Sequence, residues 1–188
     1  GGGEAGFIDS DAANSAFHSP QGLISGPGVI YVADTGNHAI RRIDLEKNKI
    51  VTLAGTGERG TALGELTPGG EAALASVWDL ELAGERLFFA NAGAHQLGEI
   101  DLTSNQIRHL AGTSGEDIID GPSMEAFLAQ PSGLALDGKA GILYFTDSET
   151  SSVRALNLTS PSRVDTLVGT GLFDFGDING PFEEASFQ

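Results

Sequence analysis

The 188-residue chain carries 26 Asp and Glu against 10 Lys and Arg, a formal net charge of −16. Surfaces that bind phosphates rely on Lys and Arg, so this balance excludes nucleic acid and anionic membranes as expected partners. With no cysteine, disulfides and thiolate metal sites are out; no apolar run approaches the ~18 residues of a membrane-spanning helix, and the opening GGGEAGFIDSD lacks the basic and apolar regions of a secretory leader.

The remaining composition is globular, and 27 glycines without a collagen period point to many tight turns between short strands. In chain order, residues 1–16 read as a connector. Four strands follow at 22–25, 29–33, 39–45 and 50–54, with apolar residues alternating at Ile30 and Val32 and at Ile40 and Ile43. After a second connector, 58–74, the same order returns with first strand DLEL (79–82), second strand 87–90 and a copy of the TLAGTG ending at 107–114. A third connector, 115–127, leads to GLAL (133–136), 142–146 and 164–171, and a last connector occupies 171–188. Leu53, Leu110 and Leu167 recur every 57 residues, as do Gly55, Gly112 and Gly169. Four antiparallel strands at a fixed period with glycine punctuation make the blade of a β-propeller. The expectation is an all-β chain of three four-stranded blades, spanning about 17–57, 74–114 and 127–171.

The run ADTGNHAIRRID (33–44), preceded by PxGL and followed by TLAGTG, resembles the signature of the NHL-repeat propellers, with Asn37-His38-Ala39 at the motif itself. The resemblance covers nearly the whole chain and is closest in the first copy. The second copy has Asn91 for Asp34 and a histidine, His95, read as displaced from the His38 position; the third has Ser151 there. The resemblance implies a six-bladed ring, a partner domain (thioredoxin-like in some relatives) and, in amidating-lyase relatives, histidines holding a metal at the centre. Three blades leave the apolar faces of the first and third open, and a homodimer closing six blades is the expected way to cover them.

Meander geometry puts the turns between second and third strands on the same face as the connectors, which hold 14 of the 26 acids and one base, Arg59. That face is expected to be acidic and to take a protein or a small ligand. Asp34, Asn91 and Asp147 read as acceptors for turn amides and Asn37 as a left-handed turn residue. Departures from the repeat point to a site: Trp78 and Asp79 replace a Gln21-Gly22 or Ser132-Gly133 pair at the start of a channel-lining strand, with His18, His38, His95 and Asn37 nearby. His18, His38 and His95 are read as three different repeat positions, which argues against a symmetric metal ring, and His109 as a surface residue on an outer strand. The pairs Asp9 with Asp11, Asp117 with Asp120 and Asp174 with Asp177 are the candidate calcium ligands. With no nucleophile elbow or phosphate loop, the expected function is a binding scaffold without catalysis, set against a propeller-type hydrolase or lyase with a metal in the central channel.

Overall fold

The computed structural model describes residues 3–172 and 175–187. Three antiparallel sheets follow one another along the chain. The first holds β1 (Ser10–Asp11), β2 (Leu23–Gly26), β3 (Val29–Asp34), β4 (Ala39–Asp44) and β5 (Lys49–Ala54) in the order β1-β5-β4-β3-β2. The second repeats it with β6 (Leu66–Pro68), β7 (Val77–Ala83), β8 (Arg86–Asn91), β9 (Gln96–Asp101) and β10 (Gln106–Ala111). The third does so with β11 (Gly121–Pro122), β12 (Pro131–Asp137), β13 (Ile142–Asp147), β14 (Ser152–Asn157) and β15 (Arg163–Val168). The all-β propeller architecture is therefore as expected, while each blade has five strands instead of four.

The fifth strand comes from the connector and corrects where the connectors run. Ser10 and Asp11 pair with Ile50 and Lys49, at the start of the outer strand and far from the 34–38 turn. The connectors 58–74 and 115–127 thus leave the turn face, run along the outer edge of the next blade and return to start its inner strand, and residues 10–11 cover the same edge of the first blade. Each covers an edge that would otherwise offer free amides and carbonyls. Asp11 consequently sits on the outer rim, while Asp9 and Asp120 lie beside the outer strand at Thr52 and Thr166.

Strand alternation sorts the side chains into two interfaces. Tyr31, Ala33, Ile40 and Ala54 pack against Leu80, Leu87, Phe89, Ile100 and Ile107 of the second blade. Phe88, Ala90, Leu97 and Ala111 pack in the same way against Leu143, Phe145, Leu156 and Val164 of the third. The recurrent Leu53, Leu110 and Leu167 are the extra residues of β-bulges, since Ile40 pairs with Ala54 and Arg41 with Thr52, and the later blades repeat the slip. The end faces are open: Leu23 is 63% exposed where its counterpart Leu80 is 2% exposed.

Candidate functional site

Each blade carries a 3-10 turn between its second and third strands, at Thr35–Asn37, Ala92–Ala94 and Ser148–Thr150. Residues Asp34, Asn91 and Asp147 at the turn entrances accept hydrogen bonds from connector amides, those of His18 (2.7 Å), Ala75 (2.7 Å) and Ala129 (2.9 Å). They do not bond turn amides as the sequence reading had it, because the turns close through backbone bonds such as His38 N–H to the Thr35 carbonyl. Nor is Asn37 the left-handed residue. That conformation belongs to His38, His95 and Ser151, with φ of 50°, 53° and 46°, while the Asn37 amide donates to Asp34 and to the Gly6 carbonyl, each at 2.8 Å.

His38 and His95 occupy the same place in the repeat, each four residues beyond the acceptor at the strand end. His38 Nδ1 accepts the Ser76 amide at 3.0 Å and His95 Nδ1 accepts the Gln130 amide at 3.1 Å. Each ring ties its turn to the segment that starts the next blade. Burial, then the charge of Arg59, hold His38 below the usual imidazole range, which suits a ring that must accept at Nδ1. His18 stands elsewhere: exposed, with its ring against Gly36. His109 is half-buried, its Nε2 3.2 Å from the Gln96 amide nitrogen and 3.0 Å from the Ala111 carbonyl.

The first and third blades bury an arginine completely. Arg41 reaches Asp34 (2.7 Å), Asp9 (2.6 Å) and the carbonyls of Ala16 and Ile8. Arg154 does the same with Asp147 (2.8 Å), Asp120 (3.0 Å) and the carbonyls of Phe127 and Ile119. Asp9 and Asp120 also accept from the backbone and hydroxyl of Thr52 and Thr166. Burial raises both carboxyls, but these hydrogen bonds and the guanidinium outweigh it and hold them below the ordinary aspartate value. Burial keeps Asp147 above that value despite Arg154. Sequence reasoning took Asp120 for a calcium ligand; in the structure a guanidinium already fills that position. Asp117 accepts the Ile118 amide at 2.8 Å, Asp11 accepts the amides of Ala13 and Asn14, and Asp174 lies outside the described residues. Among the described residues no group of three or more His, Cys, Asp or Glu is placed to hold a metal ion.

Trp78 and Asp79 separate. Asp79 fastens the second blade to the third, accepting the Leu134 amide at 2.8 Å, while the Trp78 carbonyl accepts the Gly22 amide of the first blade at 3.0 Å. Trp78 joins His38, Ser76, Ala92, Gly93, Gln130 and Arg59 around a groove of about 400 Å³. A second groove of about 370 Å³ lies beyond, lined by His95, Ser114, Thr61 and again Arg59 and Gly93. Of the expected ligand-binding residues, Trp78 and His38 are brought together, His95 is placed next door, and Asp79, His18 and Asn37 are not included. Arg59, which no sequence argument singled out as a binding residue, stands between the grooves; its being the one base in the connectors was the available signal.

The scan against protein-family models gives no match. The chain is 38% identical over 197 residues to Protein SUPPRESSOR OF QUENCHING 1, chloroplastic, of Arabidopsis thaliana, covering 99% of this chain and 19% of that protein. It is 35% identical over 215 residues to NHL repeat-containing protein 2 of Homo sapiens, covering 100% of this chain and 30% of that protein. The chain belongs to the NHL-repeat family. In fold, its blades are similar to an auxiliary nutrient binding protein from Bacteroides thetaiotaomicron, with a TM-score of 0.61 at 16% identity over 85% of this chain and 38% of that one. The chain spans less than a third of the length of these curated relatives. In this NHL segment the motif histidines are structural ties between blades, and the open chemistry lies in the grooves beside them.

Proposed function

We propose that this NHL segment is a binding scaffold without catalysis of its own, and that its partner, a protein or a small ligand, is taken on the turn face between neighbouring blades. The observation that carries this reading is the pair of grooves sharing Arg59: they gather Trp78, His38, His95 and the guanidinium beside the histidine ties, at and next to the place where the second copy departs from the repeat. Sites of this kind are concave, partly apolar and furnished with a few convergent polar groups. The turn face is proposed to be acidic, since the connectors hold 14 of the 26 acids and one base, and recognition is proposed at the grooves within it.

The test is an amide NMR screen of the chain against a diverse small-molecule library and calcium. Shifts gathered at Trp78, Gly93 and the two histidine turns are expected; shifts gathered on the rim or the bottom turns would overturn the location. Metal analysis of the purified chain addresses the opposed reading of a hydrolase or lyase, which needs several ligands converging on one ion. Stoichiometric, tightly held metal would favour that enzyme. We also propose that two copies close a six-bladed ring.

A further inference from the structure

We propose that the two grooves around Arg59 form a site for a carboxylate, with the apolar body of the ligand lying against Trp78. This rests on the reading of the turn face as the recognition surface and assigns its ligand class.

The tautomer of the histidines is the first reason. A backbone amide can only donate, so the Ser76 and Gln130 amides at 3.0 and 3.1 Å require bare Nδ1 atoms on His38 and His95. In the neutral rings the proton then sits on Nε2, and both imidazoles present an N–H donor. Two donors of the same kind therefore flank Arg59, one in each groove.

The second is the state of Arg59. Its one hydrogen bond is to the Gly93 carbonyl, at 3.1 Å, and among the described residues no carboxylate lies within salt-bridge distance of it. The chain's six other arginines are all paired: Arg41, Arg42, Arg86, Arg108, Arg154 and Arg163 meet acids. In a chain of net charge −16 an unpaired guanidinium between two grooves is a recognition group. Glu58 is its neighbour in sequence but makes no ion pair with it among the described residues. Glu149, beside the Trp78 groove, is held by the side-chain amide of Gln130 at 2.7 Å.

The third is Ser114. Its Oγ is buried and has no hydrogen-bond partner among the described residues, and it lines the groove with Arg59 and His95. A buried hydroxyl left unbonded carries a free-energy penalty, and a carboxylate oxygen would accept its proton. Beyond the Gly93 carbonyl that Arg59 holds, guanidinium, hydroxyl and imidazole N–H make an acceptor-seeking set with no carboxylate partner among the described residues. The half-buried indole supplies flat apolar area on the other side of the same arginine.

A free aromatic acid and a peptide C-terminus present the same head group, and two probes separate them: phenylacetate, and an N-acetylated dipeptide ending in Phe with a free carboxylate. Each is titrated into the full chain by amide NMR, with phenylacetamide as the neutral control, and repeated with Arg59→Gln and Trp78→Leu. Arg59 is exposed and holds one backbone carbonyl, so Arg59→Gln should keep the wild-type spectrum. At least one acid is expected to shift Gly93, Ser114 and the Trp78 indole N–H, with affinity about tenfold or more weaker in Arg59→Gln and no saturable response to the amide. Tighter binding of phenylacetate identifies a small acid; tighter binding of the dipeptide identifies a peptide end. Equal response to acid and amide, an unchanged Arg59→Gln, or no response to either acid would overturn the carboxylate assignment. If library compounds without a carboxylate still shift these residues, the turn-face reading stands and the ligand class alone falls.

Discussion

Arg41 and Arg154 have no accessible side-chain surface, and neither do Asp34 and Asp147. Each buried guanidinium meets two carboxylates and two carbonyls through its terminal nitrogens, while its Nε has no hydrogen-bond partner among the described residues, so losing one carboxylate should cost far more than losing the pair. Asp34→Ala is expected to lower stability by about 3–5 kcal/mol, the usual effect of stranding a buried charge, whereas Asp34→Asn keeps the acceptor for the His18 amide and should cost less. Urea unfolding of the two variants checks the order. The second blade shows the alternative solution. There Asn91 replaces the aspartate, Gly98 the arginine and Leu66 the rim aspartate, and the Phe89 ring and Leu63 fill the space. A Cβ on Gly98 would overlap the Phe89 ring and come within 2.9 Å of Leu63, so Gly98→Ala should destabilise by roughly 1–3 kcal/mol through overpacking; an unchanged urea midpoint would show that the ring moves freely. This ionic module was legible, though missed: the Asp-to-Arg spacing of 34–41 and 147–154 disappears together with the rim acid in the one copy that lacks it. A lone arginine on an alternating strand reads as solvent-facing, and only comparison across copies reveals the joint loss.

At the scale of elements, the main strands were legible because alternation and the 57-residue period reinforce each other, and boundaries moved by one or two residues. The fifth strands were not. Ser10–Asp11, Leu66–Pro68 and Gly121–Pro122 are too short for alternation and poor in β-branched residues; they form because the connector brings them to an unpaired edge. The histidine ties were missed for a different reason: the motif was matched by its letters, whereas counting from Asp34 and Asn91 puts His38 and His95 in one column. These ties have a pH signature. His38 is held below its ordinary 6.5 by burial and by Arg59, so the unfolded chain binds the proton more readily than the folded one. Its contribution is present in full above about pH 6.5 and is lost as pH falls toward the folded-state value. Thermal unfolding of the native chain should therefore drop more steeply as pH falls below about 6.5 than that of His38→Gln, which cannot charge. Parallel curves would show that the ring does not report on the interface between the first two blades.

For the whole molecule, the described chain has three blades but four connectors. The last folds like the others: Ile178 bridges Ser186 as Ile8 bridges Ala16 and Ile119 bridges Phe127. It offers Asn179 where Asp9 and Asp120 hold their arginines, and by the repeat it belongs on the outer strand of a blade following the third. In a ring of two copies that blade would be the partner's first, whose outer strand already pairs with its own Ser10–Asp11. Two connectors would then compete for one edge, although the apolar faces around Leu23 at one end and Tyr144 and Val153 at the other favour association. Closure by a second copy thus carries a specific obstacle, and removing it should reveal the dimer. A chain ending at Thr170 is expected to show twice the monomer mass by light scattering at concentrations where the full chain is mostly monomeric. The native chain with Leu23→Asp should fail to associate in either length, since the charge would be buried against the opposing blade. If the shortened chain stays monomeric across the concentration series, the end faces are built for further blades of a longer NHL protein instead of a second copy. The competing connector is then the natural docking edge for the next repeat.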